Sequence, residues 1–171
     1  DVDASRTRDG GAGDARWRAW WPTTDARAPW PVVVFLADAG RGRVPGDYAA
    51  WLAHVAGRGA AVIAPDVPAG PGDPATRAAA VVVGAMGELE ASGIGLQTDW
   101  RAYVGHGTGA DVATRLAAGW YARGLPAPRA LMAIGPRLAG DPTGLARAGR
   151  LPGDAMAVLV SLSDDDRDRL A

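Results

Sequence analysis

Residues 101–118, RAYVGHGTGADVATRLAA, carry the reading on which the fold depends. Ala102 to Val104 is a short apolar run of strand type, and Gly105 to Gly109 is a glycine-rich turn. Val112, Leu116 and Ala117 then fall on one side of a helix. A strand that passes sharply into a helix through G-x-x-x-G holds the middle residue of the turn at its tip, the place for a nucleophile. The outer glycines here are Gly105 and Gly109, and the middle residue is Gly107. Glycine has no side chain, so nothing at the tip can attack a carbonyl carbon. The turn therefore predicts a fold and also the loss of the chemistry that usually goes with it.

Outward from this turn, apolar runs alternate with helical patterns. Pro31 to Ala37 (PVVVFLA) and Ala60 to Ala64 (AAVIA) are β-branched runs of the kind buried on both faces of a parallel sheet. Between them, Tyr48 to Arg58 reads as a helix with Trp51, Leu52 and Val55 in register. Asp73-Pro74 is a helix start, an N-cap followed by Pro at the first helical position, and that helix runs to about Ala91. Leu131 to Ile134 and Met156 to Leu162 are further strands. Arg16 to Trp21 is a candidate edge strand, with Trp17 and Trp21 on one face and Trp20 on the other. Asp1 to Ala15 is polar and glycine-rich, which predicts a flexible arm before a single domain over 16–171. The order predicts a three-layer α/β/α sandwich around a mostly parallel sheet.

Composition narrows the function classes. The 171 residues suffice for one domain with a sizeable core, and a formal net charge of −1 gives no electrostatic case for nucleic acid. All 18 basic residues are arginine, a bias of codon usage rather than of chemistry. Absence of cysteine excludes disulfides, thiolate metal sites and a cysteine nucleophile; with only His54 and His106, a histidine metal site is not expected. No apolar run reaches the length of a transmembrane span. The chain starts at Asp1, which fits a processed product or a fragment, including one exported after loss of a signal peptide; no compartment is indicated.

Four motifs in order resemble the α/β-hydrolase superfamily, in its dienelactone-hydrolase, chlorophyllase or polyesterase-like branch. PWPVVVFLADAGRG resembles the strand and oxyanion loop, and YAAWLAHVAGRGAAVIAPD the helix and strand that follow. DWRAYVGHGTGADVATRLA resembles the nucleophile elbow, and AMAVLVSLSDDD the strand and loop bearing the catalytic acid. The likeness implies an α/β-hydrolase-like core shortened at its C-terminal end. It also implies where catalytic groups would stand. The elbow Gly105, His106, Gly107, Thr108 and Gly109 lacks its serine, and none of Ser5, Ser92, Ser161 and Ser163 lies in a comparable turn. The oxyanion loop reads Ala37, Asp38 and Ala39 in place of His-Gly, though backbone N–H donors near Ala39 and Thr108 persist on this reading. The acid position matches Asp166, beside Asp164 and Asp165, and no histidine base follows His106.

The same residues admit other readings. Gly105, Gly107 and Ala110 satisfy the dinucleotide fingerprint, but the turn follows the third buried strand and the next strand lacks an acidic residue for a ribose. No cofactor is expected. His106 is expected to pack under the turn with a backbone hydrogen bond, Thr108 to cap the helix, and His54 to lie at the surface. Asp164 to Asp166 resemble a calcium loop only superficially, since three consecutive carboxylates do not converge on one ion. Trp17, Trp20, Trp21 and Trp30 crowd one quarter of the chain and are candidate contacts for a protein partner. The expectation is a non-catalytic hydrolase-like protein, a binding module or accessory subunit of an assembly. A small-molecule ligand in the degenerate pocket is compatible with it. The alternative is an esterase-like hydrolase, or a fragment of one, acting on an ester or polyester.

Overall fold

The computed structural model describes residues 5–24, 28–67, 69–136, 151 and 154–160. In chain order the strands and helices are β1 (Ser5–Ala12), β2 (Ala15–Pro22), β3 (Trp30–Leu36), α1 (Ala49–Gly57), β4 (Ala61–Pro65), α2 (Pro74–Ala91), β5 (Leu96–His106), α3 (Thr108–Ala118), β6 (Pro128–Ile134) and β7 (Met156–Val160). They form a seven-stranded sheet in the order β1-β2-β4-β3-β5-β6-β7. β3 lies parallel to both β4 and β5, and β6 lies parallel to β5 and β7; only β2 against β1 and β4 is antiparallel. The expected mostly parallel sheet and three layers are present.

Each helix buries the stripe its sequence presents. On one face of the sheet α2 contributes Ala78, Val82, Ala85 and Leu89, and α3 contributes Ala113, Leu116 and Ala117. They pack on Val32, Val34, Ile63, Tyr103 and Leu131. On the other face α1 sets Leu52 and Ala56 against Phe35, Val62 and Val104. Fully burying one such aliphatic side chain is worth about 1.5–3 kcal/mol, so these two stripes orient the helices that flank the elbow. Trp51, expected in the α1 core stripe, is 40% exposed, and its ring meets Phe35 at 5.3 Å between centroids with the planes 64° apart.

Residues 5–12 differ from expectation: instead of a loose arm they form β1, paired with β2 over its whole length. The consequence reaches the tryptophans. With β1 outside it and β4 inside it, β2 is an interior strand, and both of its faces are covered. Trp17 and Trp21 enter one core and Trp20 the other, as the alternation requires. Trp17, Trp20 and Trp30 are 3–4% exposed and Trp21 9%, so these four offer no area to a protein partner. β5 is also longer than its apolar run. Pro31 pairs with Gln97 but Val32 pairs with Arg101, so residues 98–100 bulge from the ladder, which leaves Trp100 in solvent.

Asp73 caps α2 as the sequence predicts. Its Oδ1 accepts from the Ala75 N–H at 3.2 Å, and its Oδ2 accepts from the Thr76 hydroxyl at 3.2 Å and from Arg123 Nη2 at 2.6 Å. Burial alone would push this carboxyl up, but the Arg123, Ala75 and Thr76 donors outweigh it and hold the pKa at about 2, below its ordinary 3.8. A folded pKa below the unfolded one adds stability above about pH 4, and that contribution fades as pH falls toward 2. A third of the side chain lies in solvent, which screens the effect. Asp73→Ala is expected to lower stability by about 1 kcal/mol at pH 7. The deficit should shrink in urea titrations between pH 4 and pH 2; one that stayed constant with pH would contradict the assignment.

Candidate functional site

β3 sends the chain to β4 on one side, and the chain then crosses to β5 on the other side. The carboxyl ends of β3 and β5 thus flank the point where strand order reverses, the usual place for a site in an open α/β sheet. Ala37 and Asp38 follow β3 there, and Gly107 joins β5 to α3.

Gly107 has φ +56° and ψ −122°, a backbone state that residues with a Cβ adopt only under strain. The outer glycines have a different reason. A Cβ on Gly105 would overlap the Gly109 carbonyl and the Ala110 Cα, and one on Gly109 would overlap the Leu36 and Ala37 carbonyl oxygens. Close approach of α3 to β5 and β3 therefore demands glycine on both sides of the tip. Gly107 N–H donates to Ile134 O at 2.9 Å, which ties the tip to β6.

What fills the tip is Asp38. A Cβ built on Gly107 would land within the Asp38 carboxylate, overlapping its carbon and both oxygens. Asp38 Oδ1 accepts from the Thr108 N–H and from the Thr108 hydroxyl, each at 3.0 Å. The residue is 2% exposed, and Arg41 Nε approaches Oδ2 at 3.8 Å. A buried carboxylate needs hydrogen bonds and nearby positive charge, and here two donors, the start of α3 and Arg41 supply them. The elbow is thus closed by a side chain from the loop that follows β3.

Both expected oxyanion donors are consumed. The Thr108 N–H serves Asp38, and the Ala39 N–H donates to Ala37 O at 2.9 Å. Preorganised donors stabilise an oxyanion only when aimed at its position, and these are already satisfied from within the chain. Thr108 is the first residue of α3, and its expected cap is not what its hydroxyl makes. That hydroxyl donates to Asp38 and accepts from the Gly40 N–H at 2.9 Å, clamping the two loops. His106 packs under the turn, but its partner is a side chain rather than backbone: Nδ1 lies 2.8 Å from the Tyr48 hydroxyl. Burial pushes the Tyr48 hydroxyl up in pKa, against the lowering effect of the hydrogen bond it accepts from the Asp38 N–H. His54 is exposed, as expected. Asp164, Asp165, Asp166, Ser161 and Ser163 lie outside the described residues.

Beside the elbow opens a cavity of about 360 Å³, lined by Leu36, Pro65, Val67, Pro74 and Val112, with Thr108 also in its wall. The sequence carried no signal for it, because its lining comes from four separate segments. Among the described residues no group of three His, Asp or Glu side chains is placed to hold a metal, and no helix is long and apolar enough to cross a membrane.

No protein-family model and no curated protein matches the sequence. Solved structures do match the fold. An α/β hydrolase enzyme from the metagenome of Lake Arreo, Spain, superposes with a TM-score of 0.62 at 17% identity, over 78% of this chain and 44% of that one. A bacterial heroin esterase gives 0.62 at 18% identity, over 80% of this chain and 46% of its own. A fungal esterase from Rhizomucor miehei gives 0.61 at 15% identity, over 80% and 46%. This chain thus spans less than half the length of each. The strand order, the elbow between β5 and α3 and these superpositions together establish that the chain has the α/β-hydrolase fold.

Proposed function

We propose that this is a non-catalytic protein of α/β-hydrolase fold, which binds rather than hydrolyses. One observation carries the reading: the Asp38 carboxylate occupies the space of the nucleophile side chain and takes the Thr108 N–H. Nucleophilic attack on an ester needs a side-chain oxygen at the tip and free donors for the developing oxyanion, and here one aspartate displaces both. The four ordered sequence motifs favour the dienelactone-hydrolase, chlorophyllase or polyesterase-like branch. The apolar cavity beside the elbow suits a small, largely apolar ligand. A role as accessory subunit fits a protein without its own chemistry, although the four N-terminal tryptophans, being buried, lend it no support.

A second reading is an ester hydrolase working through unusual residues. It is favoured by the esterases among the structural neighbours and by the Thr108 hydroxyl, which meets a carboxylate at 3.0 Å and lines the cavity. Against it, that hydroxyl is already engaged on both sides, and an ordinary carboxylate is a weak base for an alcohol at neutral pH. Assays with p-nitrophenyl acyl esters separate the two. The expected result is no turnover above buffer for the wild-type chain and no labelling by a fluorophosphonate. Turnover that disappears in Thr108→Val would establish the second reading instead.

A further inference from the structure

The cavity beside the elbow has apolar walls and a charged mouth. Pro45, Pro65 and Pro74 bring three separate segments to its lining, and Leu36, Val67 and Val112 complete the apolar surface. Proline fixes its own φ, so walls built on three of them are largely formed before a ligand arrives. At about 360 Å³ the space lies at the small end of the range for ligand sites. Its charged lining residues are Arg43, Asp66 and Arg77. Arg43 and Asp66 are exposed and Arg77 is half-buried, which puts all three toward the opening.

The two arginines differ in what holds them. Arg77 Nη1 donates to Pro71 O at 2.8 Å and to Gly72 O at 2.9 Å, which fixes that guanidinium at the first turn of α2. The Arg43 guanidinium has no hydrogen bond and no ion pair among the described residues; only its backbone N–H is engaged, by Asp38 O. Asp38, the carboxylate behind Thr108, has Arg41 beside it at 3.8 Å. Two positive charges against Asp66 leave the lining with a surplus of one. That surplus suits a single negative charge, whereas a dianion would set its second charge against Asp66. A carboxylate matches a guanidinium in shape as well, since its two oxygens accept parallel N–H donors. A ligand that also fills the apolar walls excludes water from the mouth, which strengthens the charge contact there.

We propose that the cavity holds one monocarboxylic acid of medium chain length, with its apolar body against Leu36, Val67 and Val112 and its carboxylate on Arg43. This rests on the reading of the chain as a binder rather than a hydrolase, and it names the class of ligand. Arg43 is then the residue that separates an acid from a neutral molecule of the same shape.

The test is calorimetric titration with octanoate, octan-1-ol and acetate, which carry body and head, body alone and head alone. Octanoate is expected to bind saturably, one per chain. Octan-1-ol should bind about tenfold more weakly, and acetate should give no measurable heat. Arg43→Met keeps the stem and removes the charge, so it should lose about tenfold in octanoate affinity and leave octan-1-ol unchanged. If that variant does not fold, octanoate against octan-1-ol on the wild-type chain still decides. Octanoate should also shift the amide NMR signals of Val67 and Val112. Equal affinity for octanoate and octan-1-ol, wild-type octanoate affinity in Arg43→Met, or shifts confined to residues away from the cavity would each overturn the assignment. Absence of octanoate binding, with p-nitrophenyl esters still unhydrolysed, would overturn it and leave the non-catalytic reading standing. Ester turnover that disappears in Thr108→Val would overturn both.

Discussion

Gly107→Ser is expected to lower stability by about 3 kcal/mol and to create no ester hydrolysis. Two effects add. A residue with a Cβ at φ +56° and ψ −122° carries strain of about 1–3 kcal/mol. In addition its Cβ enters the Asp38 carboxylate, which must leave its hydrogen bonds to Thr108; loss of a helix-start cap costs about 1 kcal/mol. Restoring serine to the tip thus breaks the contact that replaced it. Asp38→Ala alone is expected to destabilise as well, because the Thr108 N–H at the start of α3 loses its acceptor. In the double variant the serine has room, and its hydroxyl can take over part of the cap. Chemical denaturation of the four proteins should therefore give a favourable coupling of about 1–3 kcal/mol. Strict additivity would mean that Asp38 and Gly107 do not compete for one space, and the non-catalytic reading would lose its basis.

Gly109→Ala should have an effect at least as large. The added methyl would meet the Leu36 and Ala37 carbonyl oxygens, which belong to the backbone where β3 ends and cannot swing aside. Relief requires moving α3 away from β3, which opens the core around Ala113 and Leu116. A loss of about 3 kcal/mol or more is expected, read as a fall of about 6–12 °C in Tm. Gly84→Ala provides the contrast. Gly84 lies on the exposed side of α2 with nothing near its would-be Cβ, so the same methyl should stabilise by about 0.5–1 kcal/mol. If Gly109→Ala proved as mild as Gly84→Ala, the close approach of α3 to β3 would be wrong.

Much of the site could be read before any coordinates. The G-x-x-x-G spacing identified the strand–turn–helix, and the type of residue at 107 already removed the nucleophile. Asp38 could be placed on the oxyanion loop. That its carboxylate fills the position of the missing side chain could not be read, because residues 38 and 107 are 69 apart in sequence and meet only through the parallel pairing of β3 with β5. The Tyr48–His106 contact was hidden for the same reason.

The N-terminal region shows the opposite failure. Its glycines and charges lack apolar periodicity, so local propensity alone gives a loose segment. Yet Gly10 is where the ring of Trp17 lies, and a Cβ there would collide with it. A strand of that composition forms because β2 needs an outer neighbour to satisfy its backbone and cover its tryptophans, which is a tertiary demand.

From sequence alone came the layer architecture, the position of the elbow and the loss of its serine, because hydrophobic period and residue type are local properties of the chain. Tertiary structure alone decided that Trp17, Trp20, Trp21 and Trp30 are core and that Asp38 seals the elbow. Those outcomes depend on which distant segments share a space, and that is settled by packing.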